Sequence, residues 1–263
     1  MLKEEIEMAK IKNEIADNIL GKARNATIKE IIKILCKAED YTFKPCPDQI
    51  VASLKKKDNG QFDWFKKIAT KGIIPTDIQY FKRKNIEESK IPNNIILLIL
   101  ESPHKDEFTG DTINGPAFGK TGININEYLK ESLNKKAEFQ KVFPENTICK
   151  IIIMNAIQYA CSLELNLNIL KNSMLKELWG KDCVKENFQD RIKTILSAVP
   201  NKERIIVINC CTKPIKKSVS DQLKELKELG FVKNIYEAPH PSSWKKEINI
   251  TTITLREKDE RQI

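Results

Sequence analysis

From about residue 94 onward, short apolar runs alternate with longer stretches in which apolar residues recur every three or four positions. The runs at 95–100, 148–154, 204–208 and 233–236 read as strands. The first three are apolar at nearly every position, which suits strands buried on both faces of a parallel sheet. The stretches at 126–133, 168–179, 184–196 and 219–229 read as helices. Strand–helix alternation of this kind predicts an α/β fold, a three-layer αβα sandwich around a central parallel four-stranded sheet. The tail at 249–255, Asn-Ile-Thr-Thr-Ile-Thr-Leu, offers a further strand.

The first 90 residues follow a different pattern and read as helical. Ile11, Ile15 and Ile19 repeat every four positions and stop at Gly21. Thr27-Ile28-Lys29-Glu30 has the form of a capping box, with Ile28, Ile31, Ile32 and Leu35 on one face behind it. Lys55-Lys56-Lys57 reads as a helix end, Asp58-Asn59-Gly60 as a turn before Phe62, Trp64 and Phe65, and Thr76 as the opening of a helix that ends near Pro92. The expected organisation is an N-terminal helical region, 1–90, packed on an α/β domain, 91–263, because no flexible linker separates them.

Composition narrows the class. A chain of 263 residues with 41% hydrophobic and 31% charged residues describes a globular protein. No apolar run reaches the roughly 18–20 residues that cross a bilayer, and the N-terminus lacks the basic start and apolar stretch of a signal peptide. The expectation is a cytoplasmic protein with no membrane partner. The seven cysteines form no Cys-x-x-Cys pair, so reduced thiols are expected, with no disulfide framework and no zinc ribbon. The net charge of +9 is almost all lysine, with only six arginines. It favours a polyanionic partner through counterion release.

Candidate chemistry gathers in three turns that follow predicted strands. The first is Glu101-Ser102-Pro103-His104, continuing to Gly115-Pro116-Ala117-Phe118-Gly119. The second begins at Asn155, and the third is Pro239-His240-Pro241-Ser242-Ser243-Trp244. In open α/β sheets ligands bind beyond the carboxyl ends of the strands, so the three turns are expected to wall one pocket. A carboxylate orients water or stabilises positive charge. A Phe ring stacks on a flat ligand. An Asn carboxamide reads a base edge with one donor and one acceptor. An imidazole hydrogen-bonds a leaving group that gains negative charge. Together these groups suit cleavage of the bond between a sugar and a base.

The same residues resemble the uracil-DNA glycosylase superfamily. One subfamily carries a Gly-Glu-Ala-Pro-Gly turn followed by Gly-x-Pro-Phe-x-Gly, similar to Leu100-Glu101-Ser102-Pro103-His104 and then Gly115-Pro116-Ala117-Phe118-Gly119. The superfamily's aliphatic run ending in Asn is similar to Ile151-Ile152-Ile153-Met154-Asn155, and its His-Pro-Ser motif to His240-Pro241-Ser242. The resemblance covers roughly residues 90–245 and rests on the order of the motifs more than on any single one. It implies that Glu101 is the catalytic carboxylate and that Ser102 stands where another subfamily has a catalytic Asp. It implies that Phe118 stacks on a flipped base, Asn155 bonds its edge and His240 stabilises the departing base anion. It implies that Trp244 wedges into the base stack. Ser242, Ser243 and Lys245 would then hold phosphates, with Lys213 of the tract Lys213-Pro214-Ile215-Lys216-Lys217 as a further phosphate contact. His104 departs from the family's Gly or Tyr and reshapes the base pocket. The subfamily's iron–sulfur cluster is not expected, because Cys36 and Cys46 lack a suitable second pair.

The resulting expectation is a monofunctional DNA glycosylase acting on a pyrimidine-type base, in repair or anti-phage defence, as a monomer with no metal or cofactor. Two rivals are a DNA- or protein-binding module of the same fold without the chemistry, and a nucleoside hydrolase using the same pocket.

Overall fold

The computed structural model describes residues 45–72, 79–86, 90–109, 112–158, 175–245 and 248–254. In chain order the strands are β1 (Gln49–Lys56), β2 (Phe62–Ile68), β3 (Tyr80–Phe81), β4 (Lys84–Asn85), β5 (Ile95–Leu100), β6 (Phe108–Thr109), β7 (Thr112–Ile113), β8 (Ile148–Asn155), β9 (Ile205–Asn209), β10 (Asn234–Glu237) and β11 (Thr251–Thr252). The helices are α1 (Lys120–Asn134), α2 (Ala137–Val142), α3 (Asp182–Ser197) and α4 (Lys213–Glu228), and residues 175–179 are also helical.

The middle of the sheet follows from its sequence. All six residues of β5, Ile-Ile-Leu-Leu-Ile-Leu, are buried. Alternate residues serve opposite layers, as the two-residue period of a strand requires. Ile95, Leu97 and Ile99 pack with Val184, Phe188 and Ile192 of α3 and with Val219, Leu223 and Leu226 of α4. Ile96, Leu98 and Leu100 pack with Ile125, Leu129 and Leu133 of α1 and with Phe139 of α2. The central sheet is therefore flanked by helices on both faces. Each such buried Leu, Ile or Phe contributes roughly 1.5–3 kcal/mol of apolar transfer free energy.

β5 runs parallel to β8 on one side and to β9 on the other, and β9 runs parallel to β10. The chain leaves β5 toward β8, whereas it leaves β9 toward β10, so the connections diverge between β5 and β9. That divergence is a topological switch point, and it opens a crevice at the carboxyl ends of the two strands.

Two expectations are corrected here. The sheet is larger than four strands: among the described residues it has nine, ordered β11-β10-β9-β5-β8-β1-β2-β3, with β4 also pairing with β1. In addition, residues 45–86 are not helical where they are described. β1 pairs antiparallel with β8 and with β2, so this region extends the sheet itself. Lys55 and Lys56 end a strand, not a helix. Asp58-Asn59-Gly60 is the tight connection of a hairpin, with Gly60 at φ +78° and the Gln61 N–H bonded to Asn59 Oδ1 at 3.0 Å. An Asn-Gly turn between two β-branched and aromatic runs is a hairpin signal. The N-terminal helical periods at 11–19 and 27–35, and Thr76, lie outside the described residues. Helix α1 starts at Lys120 and α4 at Lys213, each about six residues earlier than periodicity alone suggests. Among the described residues, no helix is long and apolar enough to cross a membrane.

Candidate functional site

A cleft of about 340 Å3 lies at the crevice. It is lined by Leu100, Glu101 and Ser102 at the end of β5, His104, Asp106 and Glu107 from the following turn, Gly119, Lys120 and Thr121 at the start of α1, and His240 and Ser242 beyond β10. The volume lies in the ~300–1,000 Å3 range of small-molecule sites. Five residues singled out from sequence meet here: Glu101, Ser102, His104, His240 and Ser242.

Glu101 is 3% exposed, and its Oε2 accepts the backbone N–H of Thr212 at 3.1 Å. Thr212 is the N-cap of α4, so the carboxylate sits at a helix N-terminus, where the oriented peptide dipoles favour negative charge. The end of β5 is fixed in turn by main-chain bonds from Ala156 N–H to Leu100 O (2.7 Å), Ile157 N–H to Glu101 O (2.9 Å) and Cys210 N–H to Ile99 O (2.8 Å). Buried Asn209 ties β9 to α4 by donating to Lys216 O at 2.9 Å and Ser220 Oγ at 2.8 Å.

His240 caps the short 3-10 turn Pro241–Ser243. Its Nδ1 accepts the Ser242 N–H at 3.2 Å and lies 2.8 Å from Ser242 Oγ. A ring nitrogen that accepts a main-chain N–H carries no proton itself, so the neutral imidazole holds its proton on Nε2. Ser243 Oγ donates to His240 O at 2.7 Å, and Asn124 of α1 donates to Pro241 O at 2.8 Å, which locks the turn against α1. His104 is much looser. Its side chain is 56% exposed, and its Nδ1 accepts the Asp106 N–H at 3.3 Å.

Sequence reasoning missed the most unusual group in the cleft. Glu107 is 4% exposed; its Oε1 accepts the Ala117 N–H at 2.7 Å, and the Cys46 thiol lies 3.8 Å from Oε2. Burial pushes its carboxyl up from about 4.5 to about 8, opposed more weakly by the Ala117 N–H and by the Arg83 charge. The same burial, reinforced by Glu107, holds the Cys46 thiol well above its usual range. Arg83 supports this wall from the connection between β3 and β4. It donates to Pro116 O at 2.6 Å and to Ala69 O at 2.9 Å, with longer bonds to Ala117 O and Gln49 Oε1 at 3.4 Å. Those bonds hold a tight loop in which Gly115 has φ +91° and Ala117, unusually for a non-glycine, has φ +56°. A side chain at Gly122 would place its Cβ 2.1 Å from Ala117 O, so α1 begins directly against the loop. Burial lowers the Arg83 guanidinium to about 10.

The remaining expected site residues do not line the cleft. Phe118 is half-buried, with the Arg83 guanidinium 5.8 Å from its ring centroid, so a cation already lies over the ring. Asn155 ends β8 fully buried beneath the cleft. Its carboxamide influences Glu107 but makes no hydrogen bond of standard geometry. Ser243, Lys245 and Lys213 are exposed, with Lys213 in the first turn of α4. The wedge expectation for Trp244 is corrected. The indole is 4% exposed, packs in the core with Leu100 and Ile125, and donates to Pro239 O at 2.7 Å. A side chain spent on the core has no surface to insert between bases.

Among the described residues, no group of three or more His, Cys, Asp or Glu is placed to hold a metal ion. Of the described cysteines, Cys46, Cys149, Cys210 and Cys211 are buried and Cys183 is exposed, all as free thiols. No family model matches the chain, and neither a curated protein nor a solved structure matches it.

Proposed function

We propose that the protein is a monofunctional DNA glycosylase that takes a pyrimidine-type base into the strand-end cleft and hydrolyses its N-glycosidic bond. We also read the four parallel strands and their flanking helices as the uracil-DNA-glycosylase-like fold that the motifs imply. The observation that carries the reading is the convergence of Glu101, Ser102, His104, His240 and Ser242, from two separate turns, on one cleft at the switch point.

The chemistry needs charge on two sides of one bond. As the bond between C1′ and the base nitrogen breaks, both electrons go to the base and the sugar becomes oxocarbenium-like. Glu101, at the N-terminus of α4, orients water and stabilises the positive sugar. The water oxygen then bonds to C1′, and its proton passes through the carboxylate toward the departing base or solvent. His240, with its neutral-state proton on Nε2, hydrogen-bonds the base as it gains negative charge. The basic chain, with Lys120 at the cleft and Lys213 and Lys245 exposed, supports a polyanionic strand as the substrate.

The test is an abasic-site assay on DNAs containing uracil, hypoxanthine, 5-hydroxymethylcytosine and glucosylated hydroxymethylcytosine. Alkali cleavage and mass spectrometry would identify any released base. Release that disappears in Glu101→Gln supports the reading and names the substrate. Salt-sensitive DNA binding with no abasic product on any of these DNAs overturns it in favour of a binding module. Cleavage of free nucleosides alone favours a nucleoside hydrolase.

A further inference from the structure

The cleft holds a second glutamate that the proposed chemistry does not yet use. Glu107 sits at its inner wall, where the Arg83 charge favours its ionised form less strongly than burial opposes it. Arg83 spends its donors on the carbonyls of Ala69, Pro116 and Ala117 and on Gln49. The groups around Glu107 are Arg83 and Cys46 from the N-terminal strand region, with Asp48 acting on Cys46. His104 and Asp106 belong to its own turn, and Asn155 comes from β8. Glu101, Lys120 and His240 line the cleft with it. Burial of the carboxyl outweighs the Ala117 and His104 N–H groups, the Asn155 side chain and the Arg83 charge that favour its ionised form, so the group is more stable with its proton on.

Resting on the glycosylase reading above, we propose that Glu107 is a further catalytic residue, a neutral carboxylic acid that donates a hydrogen bond to a carbonyl oxygen of the departing base. The ligand class is therefore a base with an exocyclic carbonyl beside the glycosidic nitrogen. As that bond breaks, its electron pair spreads onto the carbonyl oxygen, and a donor already in place there is worth most in a dry site. No proton needs to leave Glu107 for this. The acid stays bonded to the base anion until the base is protonated from water and released. An upward shift of its carboxyl to about 8 keeps the group neutral at physiological pH. Glu107 and Glu101 thus divide the work within one turn, one beside the base and the other beside the sugar.

Single-turnover base release, measured from pH 6 to 9.5 on whichever DNA the wild type cleaves, tests the proposal. The wild-type rate should fall about tenfold per pH unit above about 8. Glu107→Gln keeps a donor that cannot ionise, so its rate should stay within about tenfold of wild type at pH 7 and show no such fall. Glu107→Ala should lose about 100-fold at pH 7. A purely structural Glu107 would instead give Gln and wild type the same pH profile, and that result overturns the proposal. A wild type inactive on every DNA brings down the glycosylase reading and the leaving-group role with it. Carbon NMR of glutamate-labelled protein then decides the protonation state separately. The carboxyl resonance missing from Glu107→Gln should titrate above pH 7, and one already ionised at pH 6 overturns the proposal whatever the turnover.

Discussion

The two walls of the cleft hold a glutamate each, six residues apart in one turn, and surround them with different partners. The strand-end wall offers Glu101 the Thr212 N–H and the N-terminus of α4, whose peptide dipoles favour negative charge. The loop wall offers Glu107 the Ala117 and His104 N–H groups, the Asn155 side chain, a thiol at 3.8 Å and the charge of Arg83, but burial outweighs them and resists a negative charge. The walls also differ in origin. The first is made by parallel strands and the helix that follows β9. The second depends on the antiparallel extension, which brings in Cys46, Gln49, Ala69 and Arg83. Two chemically identical side chains meet different surroundings because different parts of the sheet pack around them.

The strand-end wall breaks most sharply at its carboxylate. Glu101→Gln preserves an acceptor for Thr212 but removes the charge, and base release should fall by about a thousandfold or more while the melting temperature stays near wild type. His240→Ala should lose roughly a hundredfold in the same assay. Unaltered rates would take that wall out of the chemistry.

The loop wall breaks at Arg83. Arg83→Met removes bonds to three carbonyls and leaves those oxygens buried, so urea unfolding should show a loss of about 3–5 kcal/mol. Arg83→Lys should recover only part of it, because an ammonium cannot match the planar fork. Equal stability of Met and wild type would mean that the Gly115–Phe118 loop holds its shape unaided.

Glu107 sharpens the contrast through pH. Below about 4.5 both folded and unfolded chains carry its proton. Between about 4.5 and about 8 the unfolded chain has released it while the fold retains it, so raising the pH favours unfolding. Glu107→Gln cannot titrate, and its stability relative to wild type should improve from pH 5 to pH 9 by on the order of 3 kcal/mol. Parallel stability curves would place an ionised carboxylate on the loop wall and erase the difference between the two glutamates.

These contrasts were only half visible in the chain. The apolar runs of β5, β8 and β9 announce central parallel strands because burial on both faces demands them. Turns at the ends of such strands announce a site. Glu101 and His240 were legible for that reason. Glu107 was not, because its character comes from what buries it, and two of its neighbours, Cys46 and Arg83, arrive from the N-terminal strand region. The region reads as helical by continuity with the periodic segment before it, although Asp58-Asn59-Gly60 carries a hairpin signal. A further signal lay in composition. In a chain whose cations are nearly all lysine, the scarce arginines include Arg83 and Arg191. Arg83 grips the loop carbonyls. Arg191 pairs with Asp48 at 2.8 Å and donates to Asn155 O and Ala156 O at 2.9 and 3.2 Å. Planar five-donor groups are the natural clamps for main-chain oxygens, so both positions merited notice before any fold was known.

The smallest expected effect concerns the turn that carries His240, and it separates a supporting side chain from an inserting one. Trp244 anchors that turn from inside, its indole N–H on Pro239 O and its ring against Leu100 and Ile125. Trp244→Phe keeps most of the apolar area and loses one hydrogen bond, so stability should fall by about 1 kcal/mol. DNA affinity and the preference between single- and double-stranded substrate should not move, since the ring never reaches solvent. A wedge would behave the other way round. Shortening it would leave stability untouched and weaken action on duplex DNA, where an extruded base leaves a gap to be filled, more than on single strands, where it leaves none. Measuring unfolding and both DNA substrates on the one variant decides between the two. A duplex-specific loss without a stability change would mean that the turn opens on DNA and releases the indole from the core.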